Sequence, residues 1–137
     1  MKYHLVNTDL RYVPEGHDYM LKEKRVAAFF DRADEVDEIA RGDVVFLYQN
    51  KVGVVGAATG KLEIGPREWD GELYEDAAHS QRLNRFRSVK PAIEARTVSA
   101  ICANFGKMKK GVFLRTRFEL PPRVGKALYG LALAITD

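Results

Sequence analysis

Arg41-Gly42-Asp43-Val44-Val45-Phe46-Leu47-Tyr48-Gln49-Asn50-Lys51-Val52-Gly53-Val54-Val55-Gly56 is the stretch that decides how this chain is read. Gly42 supplies the left-handed backbone that ends a helix. Val44 to Tyr48 is an apolar run of strand length, rich in β-branched and aromatic residues. Gln49-Asn50-Lys51 is polar and suits a hairpin turn. Gly53 and Gly56 leave bare backbone in the return strand, as happens where a barrel bends or a ligand comes close. Helix stop, buried strand, tight turn and glycine-bearing strand together predict the opening of a small barrel.

On the N-terminal side, Asp34 resembles an N-cap, with Glu35, Asp37 and Glu38 favourably placed in the first turn of a short helix. Val26, Phe29, Phe30 and Ala33 fall at i, i+3, i+4 and i+7, which predicts an earlier helix from Lys22. Tyr3 to Val6 reads as a first strand. On the C-terminal side, Val52–Leu62 continues as a strand and Glu63–Gly71 as a loop bearing Trp69, the single tryptophan. Ser80–Val89 is a strand or extended arm. Pro91 introduces a helix in which Ala95, Val98, Ile101 and Cys102 share a face. Gly111–Leu120 alternates as a strand, and Pro121-Pro122 opens a terminal helix with Val124, Leu128, Leu131 and Ile135 on one side. The expected architecture is α+β: about five or six strands in a closed or half-closed barrel with peripheral helices, one domain over residues 1–137.

Composition narrows the class. The 137 residues suffice for one domain with a real core. One cysteine, Cys102, excludes an internal disulfide and a cysteine-based zinc site, and its apolar setting predicts a buried structural thiol. No apolar run reaches membrane-span length, and the N-terminus turns polar too soon for a signal peptide. The expected location is therefore cytoplasmic, with no membrane partner. Charge is unevenly spread: residues 1–78 carry ten Lys/Arg against sixteen Asp/Glu, whereas residues 79–117 carry ten against one. That polarity suits a phosphate backbone. Mutual neutralisation of the two segments is the plain alternative.

Most motifs fail on chemistry. Gly56-Ala57-Ala58-Thr59-Gly60-Lys61-Leu62 suggests a phosphate loop, but Leu62 stands where Ser or Thr should bind magnesium. His4, His17 and His79 are scattered without metal-ligand spacing, so neither a metal nor a cofactor is expected. Ser80 follows His79 directly, and neighbours on a strand point to opposite faces. Glu63, Glu68, Glu72 and Glu75 surround Trp69, where a carboxylate either reads a base edge or is simply solvated. Basic residues interleaved with aromatics carry more. Arg82, Arg85 and Arg87 surround Phe86, and Arg115 and Arg117 precede Phe118, so outward arginines on an inward-facing strand would form a phosphate clamp. An ordinary solvated strand face is the alternative.

Several of these segments also resemble a known family. Tyr3, Leu5 and Asn7 in the first strand, Lys24–Phe30, the Gly42-Asp43 stop, Val45–Tyr48 and the Val52–Gly56 return resemble the EVE domains of the PUA-like superfamily, relatives of YTH and ASCH domains. The likeness continues through Gln81–Val89, Pro91 and Arg117–Leu120. It implies a small PUA-like β-barrel that binds DNA or RNA and holds a flipped, often modified, base in an aromatic and polar pocket. Under that resemblance the base pocket comprises Asn7, Arg25, Phe29, Tyr48, Gln49 and Trp69, and the phosphate site Arg82, Arg85, Arg115 and Arg117. The chain departs from the family at Lys24–Phe30, where members carry a tryptophan and an Asn-rich segment; Trp69 would supply the stacking plane instead. A separate nuclease or other effector is the implied partner. Two rivals stay open: an ASCH-like hydrolase of modified nucleosides using Lys22 or Lys24 with Glu63 and Thr59, and a protein- or small-ligand-binding module.

Overall fold

The computed structural model describes residues 1–8, 20–22, 24–29, 38–60, 68–69, 72–73, 78–106 and 117–135. Strands are β1 (Tyr3–Asn7), β2 (Arg25–Phe29), β3 (Val44–Gln49), β4 (Gly53–Gly60), β5 (Glu68–Trp69), β6 (Glu72–Leu73), β7 (Ala78–Glu94) and β8 (Arg117–Leu120). Helix α1 covers Ala95–Ile101 and runs into a π-helical turn at Cys102–Gly106; α2 covers Pro122–Ile135. Six strands form one mixed sheet in the order β2-β7-β4-β3-β1-β8, and β5 pairs with β6 in a separate small ladder. The class is α+β, as expected.

The opening stretch folds as its residues dictate. Gly42 has φ +86, and Ala40 O accepts from the Asp43 N–H at 3.1 Å, closing the turn before β3. Val44–Tyr48 is buried at every position. It pairs in parallel with β1, Tyr3 opposite Val44 and Asn7 opposite Tyr48, and antiparallel with β4. A strand with neighbours on both sides and cover on both faces needs a continuous apolar run. The turn closes with the Val52 N–H donating to Gln49 O at 3.1 Å and Lys51 at φ 67. Gly53 has φ +126, and a Cβ there would collide with Ile93 O, so β4 and β7 approach there without room for a side chain.

Alternation along β1 and β3 divides the interior. Tyr3, Leu5, Val44, Phe46 and Tyr48 join Val98 and Cys102 of the α1 region and Val124, Leu128 and Ala132 of α2 in the main core. His4, Val6, Val45 and Leu47 lie on the other face and are just as buried. Cys102 is a buried free thiol, as its pattern predicts, with its pKa pushed up to about 11 by burial.

Four expectations need correction. The expected helix from Lys22 does not continue: residues 20–22 are helical, Lys24 has φ 56, and Arg25–Phe29 is a strand paired antiparallel with β7. Its five residues, Arg-Val-Ala-Ala-Phe, satisfy either period, and β7 extends far enough to offer them a pairing edge. Pro91 does not start a helix but lies within β7, between the Ser88 and Ile93 pairings, where no ladder partner needs its missing N–H. Trp69 belongs to β5 rather than to a loop. On α2, Ala132 rather than Leu131 turns inward, because Val124, Leu128 and Ala132 form an i, i+4, i+8 stripe. Residues 34–37 of the expected Asp34–Arg41 helix lie outside the described residues; Glu38 is in a 3-10 turn and Ile39–Arg41 are not helical. Residues 111–116 of the expected Gly111–Leu120 strand also lie outside the described residues.

Candidate nucleic-acid interface

Three of the proposed pocket residues meet at one end of the sheet. Asn7 ends β1, Tyr48 is its register partner on β3, and Gln49 follows. The Asn7 side-chain amide donates to Asn50 Oδ1 at 3.3 Å, and the Thr8 N–H and hydroxyl both donate to Tyr48 O, at 2.9 and 3.3 Å. Asn7 and Tyr48 are 3% and 5% exposed, while Gln49 and Asn50 are half-buried at the rim. The Tyr48 ring belongs to the main core; burial foremost, and then Cys102 nearby, raises its phenol pKa. Polar residues at this end are thus Asn7, Thr8, Gln49 and Asn50.

Arg25 and Phe29 lie on β2, separated from β3 by β7 and β4 in sheet order, and Trp69 lies on the separate β5–β6 ladder. Arg25 stands opposite Arg82 in the β2–β7 register, which sets two basic positions side by side in the ladder. Arg85 and Arg87 on β7 are exposed, as are Asn84 and Ser88, while Phe86 between them is half-buried. β7 is irregular twice: Arg85 and Phe86 stand between the Thr59–Asn84 and Ala57–Arg87 pairings with Arg85 at φ 51, and Val89–Ala92 bulges opposite Val55. Along β7 the one carboxylate, Glu94, is held by Arg96 at 3.0 Å. Among the described residues no carboxylate is paired with Lys22, Lys24, Arg85, Arg87 or Lys90.

Arg117 is in different surroundings. Its strand, β8, is separated from β7 by β1, β3 and β4, and its Nη1 donates to His4 Nδ1 at 3.0 Å. A guanidinium only donates, so Nδ1 is the acceptor and the imidazole proton sits on Nε2. That proton goes to Asp43 Oδ2 at 2.8 Å. Asp43 also accepts the Lys2 N–H and the Ala40 N–H, each at 3.0 Å. Burial foremost and the Arg117 charge lower the His4 pKa, against the opposing pull of Asp43. For Asp43, burial alone would raise the pKa, but the hydrogen bonds from Lys2, His4 and Ala40 together bring it below the usual value. Both ring nitrogens of His4 are occupied, so this trio locks β1, β3 and β8 together and offers no open base to a substrate. Sequence reasoning missed it. The one signal was a titratable residue inside the apolar run Tyr3–Val6, and its partners are 39 and 113 positions away. Arg115 and Glu63 lie outside the described residues.

No family model matches this sequence, and no curated protein does. Solved structures do match in shape. The Mmi1 YTH domain, determined in complex with RNA, superposes with a TM-score of 0.66 at 13% identity over 97% of this chain and 78% of that one. A point variant of ZmASCH from Zymomonas mobilis gives 0.61 at 17% identity, over 96% and 99%. Human THYN1, in complex with DNA containing 5-methylcytosine, gives 0.57 at 9% identity, over 100% and 99%. With its mixed sheet, its β1–β3 parallel pair and α1 and α2 among the described residues, this chain shares its fold with the Mmi1 YTH domain, ZmASCH and THYN1.

Proposed function

We propose that this chain is a nucleic-acid-binding module that holds a phosphate backbone on the β7 face and takes an unpaired, modified base at the β1–β3 end. One observation carries the reading: the exposed cations Arg85, Arg87 and Lys90 sit on one strand with no carboxylate partner among the described residues. A protein that leaves cations to water along an irregular strand has a surface ready for counterion release. The folds that superpose include one bound to RNA and one bound to methylated DNA, which supports the same class of ligand. In this reading the sheet curls into a half-closed barrel. Asn7 and Gln49 read the base edge, Tyr48 forms a wall, and Arg25, Phe29 and Trp69 complete the pocket from β2 and β5. Flipping a base costs a few kcal/mol, and aromatic stacking returns about 1–3 kcal/mol per base. A separate effector, such as a nuclease, would supply any chemistry.

Fluorescence anisotropy with short DNA and RNA strands, plain and carrying 5-methylcytosine or N6-methyladenine, tests this at two salt concentrations. The expected result is affinity that falls log-linearly with salt and a preference for one modified strand. Absence of binding at low salt removes the reading. A hydrolase remains the second reading on one specific observation. Lys24 O accepts the Leu83 N–H at 2.8 Å and the Thr59 hydroxyl donates to Asn84 O at 3.3 Å, so Lys24 and Thr59 flank adjacent residues of β7. Turnover of a modified nucleoside, lost in a folded Lys24→Ala protein, would select it.

A further inference from the structure

We propose that the groove beside the β7 bulge is where the β7 phosphate face grips the phosphodiester backbone of a single strand; this deepens the nucleic-acid reading above and rests on it. The groove has a volume of about 590 Å³. Its floor is apolar, made by Leu21, Val55, Val89 and Ala92, and its rim is Lys22, Ser88 and Lys90. It exists because β7 passes from its pairing at Ser88 to its pairing at Ile93 through four residues while β4 uses only Val55. The extra chain cannot stay in the ladder and loops away from it, which opens the space. Lys22 reaches the same groove from the helical turn at residues 20–22.

The chemistry of the lining points to one kind of occupant. Two lysines and a serine rim an aliphatic floor, and among the described residues no carboxylate lines it. Lys22, Ser88 and Lys90 are all exposed, and the lysines have no ion-pair partner among the described residues. An ammonium is a point charge with three donors, suited to phosphate oxygens without demanding a fixed geometry. The aliphatic floor suits the face of a sugar or a base. Contacts to phosphate oxygens carry no sequence information, so the lysines hold the strand irrespective of sequence. Arg85 and Arg87, a few residues back along β7, extend the same cationic track toward β2.

Binding of a fluorescent single strand of about a dozen nucleotides to the intact chain provides the test. In Lys22→Gln/Lys90→Gln the affinity should fall about tenfold, and the salt dependence, as log K against log salt, should flatten by about 1.4, the expectation for two lost phosphate contacts on a single strand. Lys51→Gln/Lys126→Gln has the same net charge change at exposed lysines on the β3–β4 turn and on α2, and should bind within about twofold of the parent. Ser88→Glu, one exposed substitution that sets a carboxylate between the lysines, should reproduce the loss while the melting temperature holds. A nucleoside monophosphate should bind at least a hundredfold more weakly than the strand. If both double variants weaken binding equally, or Ser88→Glu leaves it intact, the groove is not the site and the nucleic-acid reading survives. Equal affinity for the mononucleotide makes the groove a small-molecule site. If the parent chain binds no strand, the groove and the reading fall together.

Discussion

Two groups of charged residues in this molecule have opposite fates. At the start of β1, β3 and β8, the half-buried Arg117 and the buried His4 and Asp43 are linked in one chain, with the backbone N–H groups of Lys2 and Ala40 completing the carboxylate. On β7, Arg85, Arg87 and Lys90 face water with no carboxylate partner among the described residues. A charge that is buried must be satisfied inside, and the result is a lock. A charge left in water contributes little to stability and stays available to a ligand. On the proposed reading the first group holds the fold and the second binds, so substitutions in the two should move different observables.

The largest effect is expected at Asp43. Asp43→Ala strands the buried His4 Nε2–H and the part-buried Lys2 and Ala40 N–H bonds, and each buried donor left unpaired costs about 1–3 kcal/mol. Urea unfolding should show the midpoint fall with the slope retained. Arg117→Met comes next: it leaves His4 Nδ1 without its donor, a cost of about 1–3 kcal/mol. Nucleic-acid affinity of the folded Arg117→Met protein should stay within about twofold of the parent, because this cation is engaged inside. A large loss of affinity with unchanged stability would erase the contrast and put β8 in the phosphate site.

Arg85→Gln/Arg87→Gln should do the reverse. Both side chains are exposed, and surface changes of this kind move stability by about 0.5 kcal/mol or less. Affinity should drop about tenfold for every strand alike, with the salt slope flattened by about one contact's worth per arginine. If instead the double change lowers the melting temperature and spares binding, the β7 face is a structural surface.

The same contrast explains what could be read from the sequence. Gly42, the Val44–Tyr48 run and the Gln49–Lys51 turn were legible because their causes are local: a positive φ, an apolar run, a polar turn. The basic residues interleaved with Phe86 were legible because they are neighbours in the chain. β2 was not. Val26 and Phe29 fit a helical face or a strand equally, and the choice was made by β7, more than fifty positions away in the register that pairs Val26 with Gln81. The pocket was only partly legible: the β1–β3 register brings Asn7 to Tyr48, but the sheet order puts β7 and β4 between β3 and the strand of Arg25 and Phe29. The trio was beyond reach, since nothing near His4 in the chain announces Asp43 or Arg117.

The smallest expected effect is the pH dependence of the lock, and it isolates His4. The folded-state pKa of His4 lies below its ordinary value of 6.5, so as pH falls the unfolded chain takes the proton first. The stability held by the neutral imidazole is therefore fully present above pH 6.5 and lost as pH falls through the window beneath it. One proton limits the slope to about 1.4 kcal/mol per pH unit. Asp43, lowered from 3.8, adds its own loss only below that value, so between pH 6.5 and about 4 the two separate. A protonated ring would turn an N–H toward the Arg117 guanidinium, setting donor against donor. Removing that neighbour in Arg117→Met should raise the His4 pKa and flatten the slope relative to the parent, with the other titrating groups common to both proteins. Nitrogen-detected NMR of the imidazole should show the Nε2–H form at neutral pH in the parent. An Nδ1–H form there would reverse the donor assignment and dissolve the lock as described. Equal slopes in the two proteins would show that burial alone, without Arg117, keeps the ring neutral.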